Sequence, residues 1–315
     1  MAMKVLIPDS IVLSLPVIEG IEFIEYSVTA TDFSAVQDAE LLVMWMNSPE
    51  NTAAAVEQLI NLKVVQTLAA GPDHVLSANF PSHIQIASGR GLHDKTVAEH
   101  ALTLTLSLIR AIPTLLKSQS SHEWNFSIIE AQAAPSTSRL YTLNGANVLI
   151  YGFGSIASHL SPMLQALGAN VTGVARNAAV KNGFKVISEL NSNASLAEAD
   201  VVISLLPYEK STEKYFDKAF FQDMKKSAVF INVGRGKTVD EVALEDALRS
   251  QIIRSAAIDV TFDEPLSSDS NLWEIPELLI TPHISGGRPQ NSEDLIAFNS
   301  KALLNGDAIR NQVAR

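Results

Sequence analysis

Three side chains that can carry chemistry each follow a short apolar run in the last third of the chain. They are Arg235, Glu264 and His283. An Arg guanidinium binds a carboxylate through two parallel hydrogen bonds, and it can also polarise a carbonyl. A His gains and loses its proton near neutral pH, and a neighbouring Glu raises its pKa and fixes its orientation. The trio therefore suits the reduction of a carbonyl group in an organic acid.

The apolar runs ahead of these residues predict that the three side chains meet. The runs are 228–233, 256–260 and 278–281. Parallel strands end at one edge of a sheet, and ligands of open α/β sheets bind beyond that edge. Taken singly, each residue also fits an ordinary structural role; their joint occurrence beside a dinucleotide motif is what favours a site. The other six histidines lack such a setting and receive no catalytic role: His74, His83, His93, His100, His122 and His159.

A glycine-rich turn predicts dinucleotide binding. The apolar run 148–151 leads into G-x-G-x-x-A, which opens a helical pattern. Gly152 allows the tight turn, Gly154 lets the backbone approach a pyrophosphate, and Ala157 allows close packing of helix on strand. The positive end of the helix favours the phosphates. The predicted cofactor contacts of this turn are Gly152, Gly154, Ser155 and Ile156.

The residues after the next strand predict which dinucleotide binds. An NAD site usually has Asp or Glu about 20 residues beyond the glycines. Here Ala175 stands 21 residues after Gly154, and no acidic residue occurs from Ser155 to Ser188. Arg176 and Asn177 follow at once, with Lys181 and Lys185 nearby. A cation facing the ribose attracts a 2′-phosphate, so the sequence predicts that NADP(H) is preferred and NAD(H) possible.

Two series of apolar runs must position these residues, and both indicate parallel α/β sheets. The first series contains the runs 5–7, 21–26, 41–46, 62–68 and 84–87. The second series contains the runs 148–151, 171–175, 201–206, 228–233, 256–260 and 278–281. We therefore predict a fold of two doubly wound α/β domains, a flavodoxin-like substrate domain of about five strands and a Rossmann domain of six. The predicted substrate domain is 1–98 plus 286–315, and the dinucleotide domain is 99–285.

Several connecting segments have patterns of their own. An almost wholly apolar helix is predicted over 95–117, bent or ended by Pro113. A capping box of Thr238 and Glu241 is predicted to open the helix 239–250. The Ala- and Ser-rich stretch 131–138 predicts a surface loop. A last amphipathic helix, capped by Ser292 and ended near Gly306, is expected to pack back on the first domain.

Composition narrows the classes of protein. The chain has 315 residues, 23 Lys plus Arg against 34 Asp plus Glu, a formal charge of −11, and no Cys. That charge argues against nucleic acid and anionic membranes as partners. Without Cys there is no disulfide and no thiolate metal site, and no metal is expected. No uncharged apolar run of about 20 residues occurs, so we expect a cytoplasmic protein.

Motifs along nearly the whole chain resemble the D-isomer-specific 2-hydroxyacid dehydrogenases. Beyond the glycine turn, the matching segments are 70–75, 97–100, 200–207, 232–236, 259–266 and 281–283. The resemblance implies that Arg235 holds the substrate, that Glu264 pairs with His283, and that His283 is the acid/base. It also implies that the backbone of Ala70 and Gly71 binds the substrate carboxylate.

The same resemblance extends the cofactor site and implies an assembly. Asp259 would contact the nicotinamide carboxamide. The further cofactor contacts at the strand ends are Pro207, Val233 and Gly234. Members of the family form dimers through the long helix, so a homodimer is expected.

Details of the motifs favour one branch of the family. The family often has His where this chain has Leu205, and 205–207 resembles the NADPH-linked glyoxylate/hydroxypyruvate reductases. Glu264 stands where the related formate dehydrogenases have Gln, which argues against formate oxidation. The sequence thus predicts a reductase that uses NADPH to convert a small 2-oxo acid into the D-2-hydroxy acid.

Two alternatives remain open. Arg90 and Lys95 could bind a substrate phosphate, as a 3-phosphoglycerate dehydrogenase without its regulatory tail would require. A dinucleotide-sensing binding protein without enzymatic activity is the other, since co-repressors related to the family keep similar residues. The charge of −11 argues against this second alternative.

Overall fold

The computed structural model describes residues 2–133 and 141–314, and it divides into two compact α/β units. The first unit contains the residues up to His93 together with those from Arg288 onward, and the second is Asp94–Gly287. The boundaries 98/99 and 285/286, as a division between substrate and dinucleotide domains, stay a prediction. Of the predicted loop 131–138, residues 131–133 are helical instead, and 134–138 lie outside the described residues.

Strands and helices alternate along most of the chain. The strands are Met3–Pro8 (β1), Ile21–Tyr26 (β2), Leu41–Met44 (β3), Val64–Thr67 (β4), Gln85–Ala87 (β5), Asn147–Tyr151 (β6), Asn170–Ala175 (β7), Ala179–Lys181 (β8), Phe184–Ser188 (β9), Val201–Ser204 (β10), Val229–Asn232 (β11), Ser255–Ile258 (β12) and Leu278–Ile280 (β13). The helices are Pro49–Gln58 (α1), Asp73–Ser77 (α2), Asp94–Ile109 (α3), Ile112–Ser120 (α4), Phe126–Ala133 (α5), Ser155–Ala166 (α6), Asn193–Glu198 (α7), Lys218–Gln222 (α8), Glu241–Arg249 (α9) and Ser292–Asn305 (α10).

The first unit is built on a parallel sheet of five strands, as predicted, and their order is β2-β1-β3-β4-β5. Strands β3 and β4 are buried along their whole length. Unbroken runs of this kind are typical of strands covered on both faces. Helix α10 packs its apolar side, including Leu295 and Ile296, against Val5 and Val43 of this sheet. The last helix therefore packs back on the first unit, as the sequence predicts. Its cap position is Asn291 and not the predicted Ser292, whose hydroxyl donates to the Pro289 carbonyl at 3.1 Å.

The second unit is built on an eight-stranded sheet of the order β13-β12-β11-β10-β6-β7-β9-β8. The six predicted strands are present, and the prediction of six misses the hairpin β8–β9. Asn182 and Gly183 form its turn, both with positive φ, of 51° and 82°. An Asn-Gly pair between two short runs is a strong hairpin signal, so the sequence contained the information. Strand β9 pairs parallel to β7, whereas β8 pairs antiparallel to β9.

The predicted apolar helix 95–117 is two helices. Helix α3 ends at Ile109, Ala111 is left-handed with φ of 56°, and α4 begins at Ile112 at an angle of 64° to α3. Pro113 lies in the first turn of α4, where its missing N–H costs no hydrogen bond, so the break precedes it. Across the described residues no single helix is long and apolar enough to span a membrane, although α3 and α4 together meet that test of length and composition.

The predicted capping box at the start of α9 is wrong. Asp240 caps this helix, because its side chain accepts hydrogen bonds from the N–H groups of Val242 and Ala243. Thr238 instead donates its hydroxyl to the Arg235 carbonyl at 2.6 Å. The Glu241 carboxylate accepts from the Phe262 N–H at 2.7 Å. An Asp is at least as good a cap as Thr, and capping by Asp240 leaves Glu241 to hold the loop that carries Glu264.

Candidate active site

Glu264 and His283 form a hydrogen-bonded pair at the carboxyl end of the second sheet. His283 Nδ1 lies 2.6 Å from Glu264 Oε2. Glu264 Oε1 accepts a second bond, from the Thr261 N–H at 3.1 Å. The carboxylate therefore binds Nδ1 of the imidazole and leaves Nε2 as the position from which a proton can be exchanged. Both side chains remain accessible, with 49% of the His283 side chain and 38% of the Glu264 side chain exposed.

Asp259 fixes the turn on which His283 lies. Its carbonyl accepts from the His283 N–H at 2.7 Å, and its carboxylate oxygens accept from the N–H groups of Ile284 and Ser285 at 3.0 and 2.9 Å. His283 has a left-handed φ of 51°, a conformation that few non-glycine residues adopt. Asp259 is fully buried and also accepts from the Thr281 hydroxyl at 2.5 Å.

Arg235 is brought to the same strand ends by two glycines. A Cβ on Gly236 would lie 1.8 Å from the Thr261 carbonyl oxygen, and one on Gly234 would lie 2.6 Å from that of Leu206. Only glycine permits the segment 234–236 to lie this close to the neighbouring loops. The half-buried Arg235 donates to the Gly234 carbonyl at 2.8 Å, and its charge acts on both Glu264 and His283. The predicted trio is thus assembled at one sheet edge.

The pair shifts the pKa of both its members. The hydrogen bond to Glu264 raises the pKa of His283 above its ordinary value, against an opposing contribution from burial. Burial acts to raise the pKa of Glu264, but the hydrogen bond and charge of His283 outweigh it and hold that pKa below its usual range. The arrangement therefore favours a protonated imidazole beside an ionised carboxylate.

His100 is a neighbour that the sequence reasoning passed over. Its Nε2 lies 3.1 Å from Thr281 Oγ1 and 3.4 Å from Asp259 Oδ1. It lies on α3, and only the packing of this helix in the second unit brings it to Asp259, so no spacing near Asp259 could have indicated it. His100 therefore contacts Asp259, which holds the His283 turn, and Thr281, which donates to the same carboxylate.

A cleft of about 490 Å³ lies at the carboxyl ends of β6, β7 and β10, on the same edge of the same sheet. Six predicted cofactor contacts line it: Gly152, Gly154, Ser155, Ile156, Arg176 and Pro207. The predicted contacts Asn177, Val233, Gly234 and Asp259 do not. The sequence reasoning missed further lining residues, which are Tyr151, Phe153, Glu189, Glu209, Ser211, Thr212 and Tyr215.

The residues of this cleft fit a dinucleotide. Gly152 has a left-handed φ of 88°, and a Cβ there would lie 2.8 Å from the Leu205 backbone. A Cβ on Gly154, in contrast, would meet no atom within 4 Å, so this position is open. Helix α6 begins at Ser155 without a side-chain cap. Its first N–H groups can therefore bind the oxygens of a pyrophosphate.

The cations predicted near the ribose end differ in their surroundings. Arg176 lines the cleft and donates to Glu209 Oε1 at 3.0 Å. Lys181 donates to the Phe153 carbonyl at 3.0 Å, and Lys185 lies exposed on β9 outside the cleft. Of the three predicted cations, Arg176 alone faces the cleft.

The predicted substrate-binding loop and a second cleft lie elsewhere in the molecule. Ala70 and Gly71 lie in the first unit, half-buried, in the loop after β4. A larger cleft, of about 1240 Å³, lies at the amino ends of β11, β12 and β13 and contains none of the predicted site residues. Ligands of such sheets bind at the carboxyl ends, which favours the smaller cleft and its edge as the candidate site.

The fold and site define a dinucleotide-binding α/β protein with a hydrogen-bonded His–Glu pair on the same sheet edge. The family model described as D-isomer specific 2-hydroxyacid dehydrogenase, NAD binding domain, matches residues 102–285. The chain belongs to this family of oxidoreductases, which act on CH–OH donors, as its motifs implied.

Two relatives of known name are similar in sequence to this chain. The chain is 30% identical to a glycerate dehydrogenase of Methylorubrum extorquens over 90% of each chain. It is 30% identical to the glyoxylate reductase/hydroxypyruvate reductase of Homo sapiens, over 76% of this chain and 73% of the relative.

Two solved structures resemble that of this chain. One is a D-isomer specific 2-hydroxyacid dehydrogenase family protein from Aeromonas salmonicida, with 26% identity, coverage of 99% of each chain and a TM-score of 0.83. The other is a D-isomer specific 2-hydroxyacid dehydrogenase from Xanthobacter autotrophicus in complex with NADPH and MES, with 26% identity, coverage of 88% and 84%, and a TM-score of 0.73.

Proposed function

We propose that this protein uses NADPH to reduce a small 2-oxo acid, glyoxylate or hydroxypyruvate, to the D-2-hydroxy acid. The observation that carries the proposal is the His283–Glu264 pair, with 2.6 Å between Nδ1 and Oε2, on the sheet edge that also bears Arg235 and the dinucleotide cleft. The human relative named for both substrates supports the choice of acid.

Each residue has one role in this proposal. Arg235 binds the substrate through its guanidinium, and the backbone of Ala70 and Gly71 binds the substrate carboxylate. His283 gives its proton to the oxygen formed from the carbonyl, and Glu264 keeps the imidazolium charged and oriented until then. The nicotinamide cofactor, when bound, supplies the hydride. Asp259 holds the His283 turn and contacts the carboxamide, while Asn177, Pro207, Val233 and Gly234 complete the cofactor contacts.

The substrate is tested by mixing the protein with NADPH and a panel of 2-oxo acids. The panel contains glyoxylate, hydroxypyruvate, pyruvate and 3-phosphohydroxypyruvate, and the loss of NADPH absorbance is measured. We expect the highest kcat/KM for glyoxylate or hydroxypyruvate. A preference for 3-phosphohydroxypyruvate would favour the phosphoglycerate alternative, and no oxidation with any acid would favour the binding protein.

Replacing Glu264 by Gln is expected to change the pH dependence of the reduction. Reduction needs the protonated imidazole, so kcat/KM is high at low pH and falls as pH rises through the pKa of His283. That pKa is raised above its ordinary value chiefly by the hydrogen bond to Glu264, so Glu264→Gln should move the fall toward lower pH. The measurement is kcat/KM against pH. Asp263→Asn removes the same charge from the same exposed loop and should leave the dependence of kcat/KM on pH unchanged. If that dependence is also unchanged in Glu264→Gln, the proposed role of the pair is wrong.

The preference for NADPH depends on Arg176, the cation that lines the cleft. We expect the ratio of kcat/KM for NADPH to that for NADH to exceed one and to shift toward NADH in Arg176→Asp, because an acid suits the ribose 2′-hydroxyl and repels a 2′-phosphate. Lys185→Asp makes the same charge change outside the cleft and serves as the control. A native protein that prefers NADH contradicts the proposed preference.

We further propose a cytoplasmic homodimer. The segment of α4 and α5 exposes large apolar side chains in the isolated chain, which a second copy would cover: Leu115, Leu116, Trp124, Phe126 and Ile129. Light scattering at micromolar concentration should give twice the mass of 34.0 kDa, and a single-chain mass would contradict the dimer.

A further inference from the structure

The cleft at the glycine turn contains more negative than positive side chains. Among the described residues that line it, Arg176 is the cation, while Glu189 and Glu209 are carboxylates. The run from Ser155 to Ser188 has no acid, so neither carboxylate comes from that run. The acidity at this end of the cleft is supplied by the residues after β9 and β10.

Glu209 is paired directly with the cation. Arg176 Nη2 donates to Glu209 Oε1 at 3.0 Å. The loop that carries Glu209 is fixed locally, because the Glu209 N–H donates to Thr212 Oγ1 at 2.8 Å and the Thr212 hydroxyl donates to the Pro207 carbonyl at 2.8 Å. The backbone of Glu209 is therefore fixed at a position from which its carboxylate reaches the guanidinium.

This pair competes with the ligand that Arg176 is proposed to bind. A ribose 2′-phosphate needs the guanidinium donors, one of which Glu209 already occupies. The pair is exposed, 76% for the Arg176 side chain and 45% for that of Glu209, so a phosphate can displace the carboxylate. After displacement the carboxylate stays on a loop whose backbone is fixed near a group that carries about −1.5 to −2 charge, and the two repel each other.

We propose that Glu209 is a specificity-determining residue that lowers the affinity for 2′-phosphorylated dinucleotides and so limits the discrimination of NADP(H) over NAD(H). The proposal rests on the assignment of Arg176 to the 2′-phosphate. A cofactor without the phosphate does not need to displace Glu209, so its affinity does not depend on breaking the pair.

The test is a binding measurement on the complete protein. Isothermal titration calorimetry gives the Kd of NADP⁺ and of NAD⁺ for the native protein and for Glu209→Gln. Gln keeps the shape of the side chain and the backbone N–H, so the loop is retained. The Kd of NADP⁺ should fall about five- to tenfold and that of NAD⁺ should change less than twofold, since one charge is removed next to the phosphate alone. The gain in affinity for NADP⁺ should become smaller in high salt, because the repulsion between Glu209 and the phosphate is exposed to solvent.

The control for charge is Glu213→Gln, four positions along the same loop, whose carboxylate accepts a hydrogen bond from Tyr208 at 3.1 Å. It should leave both Kd values unchanged. Adenosine 2′,5′-bisphosphate and 5′-AMP isolate the adenosine end, and only the bisphosphate should gain affinity in Glu209→Gln. A Kd of NADP⁺ that stays the same or rises, or an equal gain for both cofactors, overturns the proposal. Glu209→Ala provides a second variant, with the same expected direction, should Glu209→Gln fail to fold in a thermal melt.

A double-variant cycle separates this proposal from the proposed cofactor preference. If the native protein binds NAD⁺ more tightly than NADP⁺, the proposed preference fails, yet a gain for NADP⁺ in Glu209→Gln still supports Glu209. In an Arg176→Ala background, Glu209→Gln should lower the Kd of NADP⁺ less than twofold. A full gain in that background contradicts the competition for the guanidinium.

Discussion

Replacing His283 by Asn is expected to lower kcat by about 10²–10⁴-fold, the usual contribution of a general acid. Asn cannot transfer the proton, but it tolerates the left-handed φ of 51° at this position better than most residues. The backbone N–H of residue 283 keeps its bond to the Asp259 carbonyl. The fold and the cofactor cleft should therefore survive, and the loss should appear in turnover alone.

The measurement is kcat for the best 2-oxo acid, with the Kd of NADPH determined by titration. We expect that Kd to stay within about twofold of the native value, because His283 does not line the cleft. His83→Ala removes an exposed histidine of the first unit and should leave kcat unchanged. A turnover of His283→Asn within about threefold of the native rate would refute its role as the acid.

The strand ends show why much of the site could be predicted. Parallel strands end at one edge, so apolar runs followed by Arg235, Glu264 and His283 were enough to predict that these side chains lie together. The glycine turn was likewise predictable, because backbone conformation at Gly152 and close packing at Ala157 are local requirements.

Contacts between distant loops could not be predicted. Glu209 lies 33 residues from Arg176, and only the fold brings the carboxylate to the guanidinium. The close approach of Gly236 to the Thr261 carbonyl is a similar case, since it depends on how two strand-end loops lie beside each other. The bond from Phe262 to Glu241 was missed because the same Glu also fits a capping box three residues after Thr238. Local patterns cannot decide between a local partner and a distant one.

Replacing Asp259 by Ala is expected to reduce the free energy of unfolding by about 3 kcal/mol, since it leaves the N–H groups of Ile284 and Ser285 without their carboxylate partner. For a unit of this size the melting temperature should fall by roughly 6–12 °C. Asp259→Asn keeps one acceptor oxygen, so its free energy of unfolding should fall by about half as much. Asp263→Asn, on the exposed loop nearby, should not change the melting temperature by more than about 2 °C.

Melting temperatures recorded without cofactor distinguish a contact of Asp259 with the nicotinamide from its support of the His283 turn. If Asp259 only contacted the nicotinamide, the melting temperature of the cofactor-free protein would stay the same and only the Kd of NADPH would rise. If Asp259 holds the His283 turn, as its bonds to residues 283–285 indicate, stability falls without any ligand. Turnover should then fall as well, because the imidazole loses the backbone that aims it while Glu264 remains in place. An Asp259→Ala protein that melts within about 2 °C of the native one would rule out this structural role.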